Sequence, residues 1–401
     1  MKLKYLEGFA KDQLHGIILP FWRKYSVDNK YGGFYGQIND DLSVENRAEK
    51  GLVLNARILW TFSAVCGKFK NPSDKAMADR AYHYLQNYYY DKENGGYFWS
   101  LTFDGKPIEV KKQIYAQAFV IYGLSEYYRV TRDQKVLDQA IQLFNLVEEK
   151  SFDTSGKGYI EACTREWEEI ENLRLSPKDM NEKKSQNTHL HVLEAYTNLY
   201  SVWPDPFLKR QLEGLIRVFA DHIIHADDHH LILFFDEDWN PKSSLISYGH
   251  DIEGSWLLHE AALVTENDKL IKSVEKISLK IVKAATEGYI EEGAMLYEND
   301  REGRHHDDEL EWWAQAEAVV GYLNAYLITQ ENDYLEKACS IAYFIDKYIA
   351  DREKGEWFFR VNRNGNPILK HEKAGFWKCP YHNTRACLEI LYRTELLNNN
   401  P

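Results

Sequence analysis

The chain has 401 residues, and its 49 Lys and Arg residues against 62 Asp and Glu residues give a formal net charge of −13 at pH 7. An acidic chain without a basic run lacks the electrostatic footprint of a nucleic-acid-binding protein, and no stretch approaches the ~20 apolar residues of a membrane span. The 5 cysteines are an odd number without a C-x-x-C pair, which is typical of a reducing compartment and excludes a disulfide scaffold. We therefore expect a cytoplasmic protein without a nucleic-acid or membrane partner.

A glycine-rich signal recurs along the chain at intervals of about 65 residues, with one interval of twice that length. Its copies are Gly32-Gly33-Phe34-Tyr35, Gly95-Gly96-Tyr97-Phe98, Gly158-Tyr159-Ile160, Gly288-Tyr289-Ile290 and Gly355-Glu356-Trp357-Phe358. The apolar run 231–235 falls within the long interval, and we interpret it as a degenerate copy. The chain is therefore predicted to consist of six similar units.

Each unit combines helical and strand signals. Asp104-Gly105 and Asn364-Gly365 lie between β-prone runs and predict short hairpins. Segments between the glycine signals, such as 117–128 and 136–147, carry apolar residues at helical spacing. Six helix pairs that close on one another form an all-α (α/α)6 barrel with short β-hairpins in its loops, and we predict such a barrel as a single domain over residues 1–401. An open solenoid of helix pairs has the same period and is the alternative.

The most polar stretch, residues 166–184, interrupts the repeat with Pro177 and many charges. We interpret it as a long loop over the mouth of the barrel cavity and not as a domain boundary. An ordinary solvated loop is the simpler alternative.

Two residues in the early units are candidates for a site. Arg57 lies in an otherwise apolar helical segment, where an arginine is costly unless it is paired or faces a polar cavity. Tyr115 lies at the start of another predicted helix. Core packing explains either residue alone, but the starts of alternate helices surround one mouth in a barrel, which favours a shared site.

The segment Asn187-Thr188-His189-Leu190-His191 brings two histidines to a further helix start. Residues two apart on a helix point to opposite sides, so only one of the two can face the cavity. His191 precedes Ala195 by one turn, and we place it inward. Asn187, one turn before His191, lies on the same side.

His250 and Glu253 are three residues apart at the start of a helical pattern and share a face. A carboxylate in this position is predicted to orient the imidazole and keep it basic. A capping pair at a helix start is the alternative.

Two indoles and another histidine come from the last units. Trp313 lies at a predicted helix start, and Trp377 precedes His382 in the segment 375–385. Pro380 biases Cys379 towards an extended conformation, so a helix is expected to begin near His382. Histidine can accept and return a proton near neutral pH, and an indole offers a flat face to a sugar ring. A buried histidine among core aromatics is the alternative.

Metal and cofactor chemistry are disfavoured by spacing. His191, His250, Glu253 and His382 are possible zinc ligands, but they come from distant segments without an H-E-x-x-H motif. No G-x-G-x-x-G follows a predicted strand, and no P-loop is present. Cys379 lies close to His382, but Pro380 between them disfavours a cysteine nucleophile. We therefore predict no metal and no cofactor.

Several segments together resemble the cellobiose 2-epimerase branch of the N-acylglucosamine 2-epimerase superfamily over nearly the whole chain. The matching segments are Asn55-Ala56-Arg57, Tyr115-Ala116-Gln117-Ala118-Phe119, Asn187-Thr188-His189-Leu190-His191, Gly249-His250-Asp251-Ile252-Glu253, Glu311-Trp312-Trp313-Ala314-Gln315-Ala316-Glu317 and Trp377-Lys378-Cys379-Pro380-Tyr381-His382-Asn383. The resemblance implies one catalytic (α/α)6 barrel without a cofactor. It also implies inversion at C2 of the reducing-end glucose of a β-1,4-linked disaccharide such as cellobiose or lactose.

The resemblance also implies roles for individual residues. His250 and His382 match the acid/base pair of the family. Residues expected around the reacting carbonyl are Arg57, His191 and Glu253. Residues expected to contact sugar are Tyr115, Asp179, Asn187, Trp313 and Trp377, of which Asp179 is matched only by its spacing to Asn187. Relatives acting on N-acylglucosamine or monosaccharides share the barrel and the histidines, so they are the nearest alternative, and a monomer is the expected state.

Two bases on opposite faces of C2 are sufficient to epimerise an open-chain aldose through an enediolate, and two histidines fit this requirement. Return of the proton to C1 instead gives a ketose, so some aldose–ketose isomerisation is expected. An inverting glycoside hydrolase on the same barrel needs two carboxylates roughly 6.5–9.5 Å apart, whereas histidines dominate here. A sugar-binding protein without catalysis has no need of three histidines and an arginine.

Overall fold

The computed structural model describes residues 1–303 and 306–399, and these residues form two kinds of helix. The first kind is buried on nearly all sides: α3 (Leu52–Phe69), α5 (Ile114–Thr131), α7 (Gln186–Tyr200), α9 (Tyr248–Val264), α11 (Trp312–Thr329) and α13 (Tyr381–Asn399). The second kind has one apolar face: α1 (Lys2–Asp12), α2 (Leu19–Tyr25), α4 (Pro72–Tyr84), α6 (Gln134–Lys150), α8 (Pro206–Val218), α10 (Asp268–Ala285) and α12 (Asn332–Phe344).

The sequence explains which helices are inner and which are outer. In α11, almost every residue from Trp312 to Ala325 is buried, as expected for a helix that is apolar all round. In α10, lysines alternate with the apolar residues that face the core, as expected for a surface helix. The continuous helix 2–25 consists of α1, the π-helical segment Gln13–Ile18 and α2.

The inner helices form a closed ring, which confirms the (α/α)6 barrel and excludes the open solenoid. Each packs on the next in the order α3, α5, α7, α9, α11 and α13, and α13 returns to α3. Each outer helix packs on the inner helix of its own pair, with α1 against α13. None of the helices in the described parts of the chain is long and apolar enough to cross a lipid bilayer.

Short strands connect neighbouring units at the end of the barrel where the inner helices begin. The strands are β1 (Ile38–Asn39), β2 (Lys50–Gly51), β3 (Ser100–Leu101), β4 (Lys112–Gln113), β5 (Ala162–Cys163), β6 (Lys184–Ser185), β7 (Phe234–Phe235), β8 (Leu245–Ser247), β9 (Glu298–Asp300), β10 (His306–Asp307), β11 (Leu310–Glu311), β12 (Arg360–Val361) and β13 (Glu372–Ala374).

The strand that precedes each inner helix pairs antiparallel with a strand of the next unit. The pairs are β2–β3, β4–β5, β6–β7, β8–β9, β11–β12 and β13–β1. The last pair joins the final unit to the first, so the pairs form a closed series around the mouth, which we call the mouth belt. The predicted hairpins are also present, with Leu101 opposite Pro107 and Val361 opposite Pro367.

The structure confirms the six units but corrects the register of one of them. Backbone bridges at equivalent points join Val27–Phe34, Tyr90–Tyr97, Phe152–Tyr159, Ile224–Leu231, Tyr289–Met295 and Ala350–Trp357. In the fifth unit the residue equivalent to Tyr97 is therefore Met295 and not the predicted Tyr289. The amide of Met295 donates to Gln315 Oε1 at 2.8 Å, as that of Tyr97 donates to Gln117 Oε1 at 2.9 Å.

The glycine signal itself has a steric cause. Gly96 has a φ of +67°, and a Cβ there would lie 2.5 Å from the indole of Trp167. Only glycine combines this left-handed conformation with so close an approach of another side chain.

A buried ion pair recurs at the base of the mouth belt. Lysines of the strands that precede inner helices bind aspartates at the starts of the glycine turns, in the pairs Lys50–Asp28, Lys112–Asp91, Lys184–Asp153 and Lys373–Asp351. Burial opposes ionisation of Asp91, but hydrogen bonds from Arg165 and Lys112 hold the pKa of this carboxyl well below its usual range. These pairs fix the strand to the turn of the preceding unit.

We expect Lys112→Met to destabilise the protein by about 3 kcal/mol, because the fully buried Asp91 then keeps only Arg165 as a cationic partner among the residues described. Lys106→Met is the matched control, because Lys106 is exposed on the neighbouring hairpin. Urea unfolding of the two variants measures the difference. Since the low pKa of Asp91 stabilises the fold above the pH where an unfolded aspartate ionises, the difference should shrink as the pH falls below about 4. Equal stability of the two variants would contradict the structural role of the pair.

Candidate active site

The predicted site residues converge at the amino ends of the inner helices, in two layers. Tyr115, Asn187, His250, Trp313 and His382 lie in the first turns of five different helices. One turn deeper, the second layer contains Arg57, His191 and Glu253. The mouth belt fixes where each helix begins, so residues distant in sequence face a common cavity.

The centre of the cluster is an arginine that the sequence reasoning missed. Arg385 is buried in α13, and it donates hydrogen bonds to three buried carboxylates: Glu194 through Nη1, and Glu253 and Glu317 through Nη2. We call these three carboxylates the carboxylate cluster. Burial opposes the ionisation of Glu194, but Arg385 lowers the pKa of this carboxyl to about 2. Arg385 therefore holds together groups from α7, α9 and α11.

His382 is bound to this cluster through one ring nitrogen. Its Nδ1 lies 2.7 Å from Glu317 Oε1 and 3.8 Å from Glu253 Oε1. Burial, with Arg57 and Arg385 nearby, lowers the pKa of His382 well below its usual value. When Nδ1–H donates to Glu317, the lone pair on Nε2 is left as the basic site.

His250 is held differently from the prediction. Its Nδ1 lies 2.8 Å from Ser247 Oγ, whereas Glu253 turns towards Arg385. The prediction that Glu253 orients His250 is therefore wrong, because the carboxylate is attracted by a guanidinium that the spacing argument did not include. Burial, together with His191, lowers the pKa of His250 to about 3.

An indole links the two histidines. The ring of Trp313 lies 4.8 Å from that of His250 and 5.5 Å from that of His382, measured between centroids. Its Nε1 donates to Glu311 Oε2 at 2.5 Å, and Glu311 in turn accepts from Arg360 Nε at 2.8 Å. Trp313 is therefore fixed between the imidazoles.

The two histidines of α7 separate as predicted. His191 lies 3.0 Å from Glu194 Oε2 through Nδ1, and its ring packs at 5.0 Å from that of Tyr115. His189 instead accepts the amide of Tyr159 through Nε2 at 2.8 Å, which ties α7 to a glycine turn. His191 belongs to the cavity, and His189 to the wall.

Arg57 is a buried cation without a carboxylate partner among the residues described. Its Nη2 donates to the Tyr115 hydroxyl at 2.7 Å and its Nη1 to Cys379 Sγ at 3.7 Å. Its guanidinium stacks 4.2 Å from the ring centroid of Phe119, and its Nε has no hydrogen-bond partner in the described chain. A buried guanidinium with free hydrogen-bonding capacity is suited to an oxygen that acquires negative charge.

The remaining predicted sugar contacts lie at the mouth. Trp377 is half-buried and packs 6.0 Å from Trp99 and 6.1 Å from Tyr115. Asp179 and Asn187 line one small cavity beneath the loop 173–182. The Oδ1 of Asn187 is buried there without a hydrogen-bond partner in the described chain.

The loop that carries Asp179 is attached to the barrel by residues at β4 of the preceding unit. Lys111 donates to the carbonyl of Arg174 at 2.7 Å, and Gln113 donates to that of Leu173 at 2.9 Å. Asp179 itself accepts the amide of Ser176 at 2.8 Å. The long polar stretch is thus a structured wall at the mouth.

The described residues contain one group of side chains with the spacing of metal ligands, but its members differ from the zinc ligands considered in the sequence analysis. Glu253, Glu317 and His382 place one ligand atom each within 4.8 Å of one another, whereas His191 and His250 are not part of the group. Arg385 donates to both of these carboxylates. Its guanidinium occupies the electrostatic position that a cation would need, so the donor set does not fit a metal ion.

The sequence reasoning missed four residues of the site: Glu194, Glu317, Tyr381 and Arg385. Glu194 and Tyr381 are joined by a 2.5 Å hydrogen bond between helices that are far apart in the chain. A usable signal was present for Glu317, which lies inside an otherwise apolar helix as Arg57 does, but not for Arg385, because α13 carries many polar residues. Charged residues in helices buried on all sides indicate ionic contacts to neighbouring inner helices.

The fold and the site define an (α/α)6-barrel enzyme whose cavity is equipped for proton transfer. The chain belongs to the N-acylglucosamine 2-epimerase family, whose sequence profile matches residues 33–386.

Comparison with individual proteins gives the same result. The chain is 49% identical to the cellobiose 2-epimerase of Bacteroides fragilis, over 96% of this chain and 98% of that protein. It is 39% identical to the cellobiose 2-epimerase of Dictyoglomus turgidum, over 98% of this chain and 100% of that protein. The solved structure of cellobiose 2-epimerase from Bacillus thermoamylovorans B4167 superposes with a TM-score of 0.92 at 40% identity, and the match covers 97% of this chain and 99% of that one.

Proposed function

We propose that this protein is a carbohydrate epimerase that inverts C2 of the reducing-end glucose of β-1,4-linked disaccharides such as cellobiose and lactose. The observation that carries the proposal is the pair of imidazoles beside Trp313. His250 and His382 are each held through Nδ1, and neither Nε2 has a hydrogen-bond partner among the described residues. Two free imidazole nitrogens on either side of one carbon are what an epimerisation without redox chemistry requires.

The reaction begins with the open-chain sugar, because the C2 proton is acidic only beside a C1 aldehyde. One histidine removes this proton through Nε2, and the electron pair left on C2 forms the enediolate with negative charge on O1. The second histidine delivers a proton to the opposite face of C2 and gives the mannose epimer. Delivery to C1 would give the ketose, so a minor isomerase activity follows from the same intermediate.

The proton that is returned must be held within the cluster. Both histidines have lowered pKa values and are free bases at neutral pH. Burial and the neighbouring Glu317 raise the pKa of Glu253 to about 7, and its Oε2 has no hydrogen-bond partner in the described chain. We propose that Glu253 holds this proton beside His382 and does not orient His250.

Arg57 and His191 are proposed to stabilise the oxyanion, and the aromatic residues to bind the rings. Trp313 and Trp377 offer flat faces to the two sugars, and Asp179 and Asn187 offer polar atoms to their hydroxyls. Since all of these groups come from one chain and from several inner helices, we propose a single catalytic domain over residues 1–401 that acts as a monomer.

The test is incubation of the protein with cellobiose in heavy water. The proposal predicts deuterium at C2 and a product that ends in mannose. Release of glucose would instead indicate a glycoside hydrolase, and an unchanged disaccharide would indicate a binding protein. Parallel reactions with glucose and N-acetylglucosamine measure the preference for a disaccharide.

We expect Arg57→Met to lower kcat roughly 100- to 1,000-fold, as does the loss of other oxyanion-stabilising donors. Because Arg57 has no carboxylate partner in the described chain, its removal strands no buried charge, and the melting temperature should stay the same or rise. Arg57→Lys is the matched variant, because it keeps the charge but not the planar fork of donors. Kinetics and thermal unfolding check both expectations, and a marked loss of stability in Arg57→Met would show that Arg57 serves mainly the fold.

A further inference from the structure

Trp256 lies in the wall of the cluster, and no step of the proposed reaction uses it. It is buried in α9, and its indole lies between two arginines of α13. The guanidinium of Arg385 lies 4.7 Å from the ring centroid, and that of Arg393 lies 5.3 Å from it. Its Nε1 donates to Glu317 Oε2 at 3.1 Å.

This arrangement divides the two oxygens of Glu317 between different tasks. Oε1 faces His382 Nδ1 and Arg385 Nη2, both at 2.7 Å, while Oε2 accepts from Trp256. The N–H of the indole therefore withdraws negative charge from the carboxylate that faces His382. It also fixes the rotation of the carboxylate, so that Oε1 is aimed at the imidazole.

We propose that Trp256 is a positioning residue that sets the proton affinity of His382 by holding Glu317 and Arg385. The inference rests on the proposed function, because the proton affinity of His382 matters for catalysis only if His382 transfers the C2 proton. Other titratable or charged groups facing His382 from its neighbouring elements are Arg57, His191, His250 and Glu253. Of these, only Glu253 is a carboxylate, so Glu317 and Glu253 are the groups that stabilise a proton on His382 against burial and the two arginines.

Trp256→Phe keeps an aromatic ring between the arginines but removes the N–H. Glu317 then becomes more basic, its charge stabilises protonated His382 more strongly, and the pKa of His382 rises. In the pH profile of kcat/KM, the limb that reports the titration of His382 should move to higher pH by about one unit. This holds for the acidic limb if His382 acts as the base and for the basic limb if it acts as the acid. Trp239→Phe is the matched control, because Trp239 is also buried and donates through Nε1, at 2.7 Å, to the carbonyl of Gly156 outside the site.

An NMR titration of the His382 ring in the same variants measures the shift without reference to catalysis. If the wild-type protein fails to exchange deuterium into cellobiose, the proposed function fails, while this titration still tests Trp256. A pH profile and a His382 titration that match those of Trp239→Phe would overturn the inference, even if turnover falls. If Trp256→Phe does not fold, site-specific replacement by β-(3-benzothienyl)alanine, which has the shape of tryptophan without the N–H, gives the same comparison.

Discussion

Replacing His382 by asparagine is expected to lower C2 deuterium exchange at least about 1,000-fold, because the variant loses one of the two groups that we propose transfer the proton. The fold should be preserved. The asparagine Nδ2 occupies nearly the position of the histidine Nδ1, 2.7 Å from Glu317 Oε1, so the carboxylate keeps a donor. The amide cannot take up a proton at neutral pH, and no base replaces Nε2. Exchange measured by NMR in heavy water, together with a thermal unfolding curve, tests both parts.

The control for this experiment is His83→Asn. His83 lies exposed on the outer helix α4, outside the ring of inner helices, and its replacement should leave exchange unchanged. Exchange in His382→Asn within tenfold of the wild-type rate would remove His382 from the acid/base role. The same substitution at His250 should then show whether a single base carries the reaction.

The second large effect is expected on stability. Arg385→Met leaves Glu194, Glu253 and Glu317 buried without the cation that joins them. Breaking one buried ion pair costs about 3–5 kcal/mol, and a typical protein has only about 5–15 kcal/mol of stability in total. We expect a variant that is largely unfolded or aggregated at pH 8, as measured by circular dichroism.

The sign of the pH dependence distinguishes this explanation from a loss of packing. In the wild type, the lowered pKa of Glu194, about 2, adds stability that is present above the pKa of an unfolded glutamate and is lost as the pH falls. In the wild type only Glu253 and Glu317 have raised pKa values, whereas in Arg385→Met all three buried carboxyls should, so the variant should gain stability more steeply than the wild type as the pH falls from 8 towards 5. Arg80→Met serves as the control, because the hydrogen bonds of Arg80 within the described residues go only to backbone carbonyls. A similar pH slope in both variants would refute the electrostatic account.

The fold could be predicted from the sequence because its signals are local and repeated. Glycine makes the left-handed turn, as at Gly96, in every unit but the fourth, where His229 takes this conformation, and a buried inner helix follows in each unit. The register error in the fifth unit arose because two glycines lie close together in the sequence there. Gly293 makes the left-handed turn, whereas the prediction used Gly288. The pairing of strands between units was not predicted, because two-residue strands have no periodicity of their own.

The first turns of the inner helices were predicted well, but the contacts between helices were not. His250 and Glu253 share a helix face, yet the structure shows Glu253 bound to Arg385, which comes from a distant segment. His259, further along α9, is likewise buried against Asn324 of α11, a contact that spacing within α9 does not indicate. Spacing along one helix gives the face that a residue occupies, whereas its partner depends on which helix packs there.

The mouth belt makes the two ends of the barrel unequal in their tolerance of a cut in the backbone. Near its carboxyl end an inner helix is joined to its outer partner by a tight turn, such as Lys70-Asn71, which pairs with no other unit through a strand. A circular permutant opened at this turn should keep every strand pair and fold. One opened between Val110 and Lys111 would separate β4 from the hairpin before it, and it should lose both the anchor of the loop 173–182 and the geometry of the cavity.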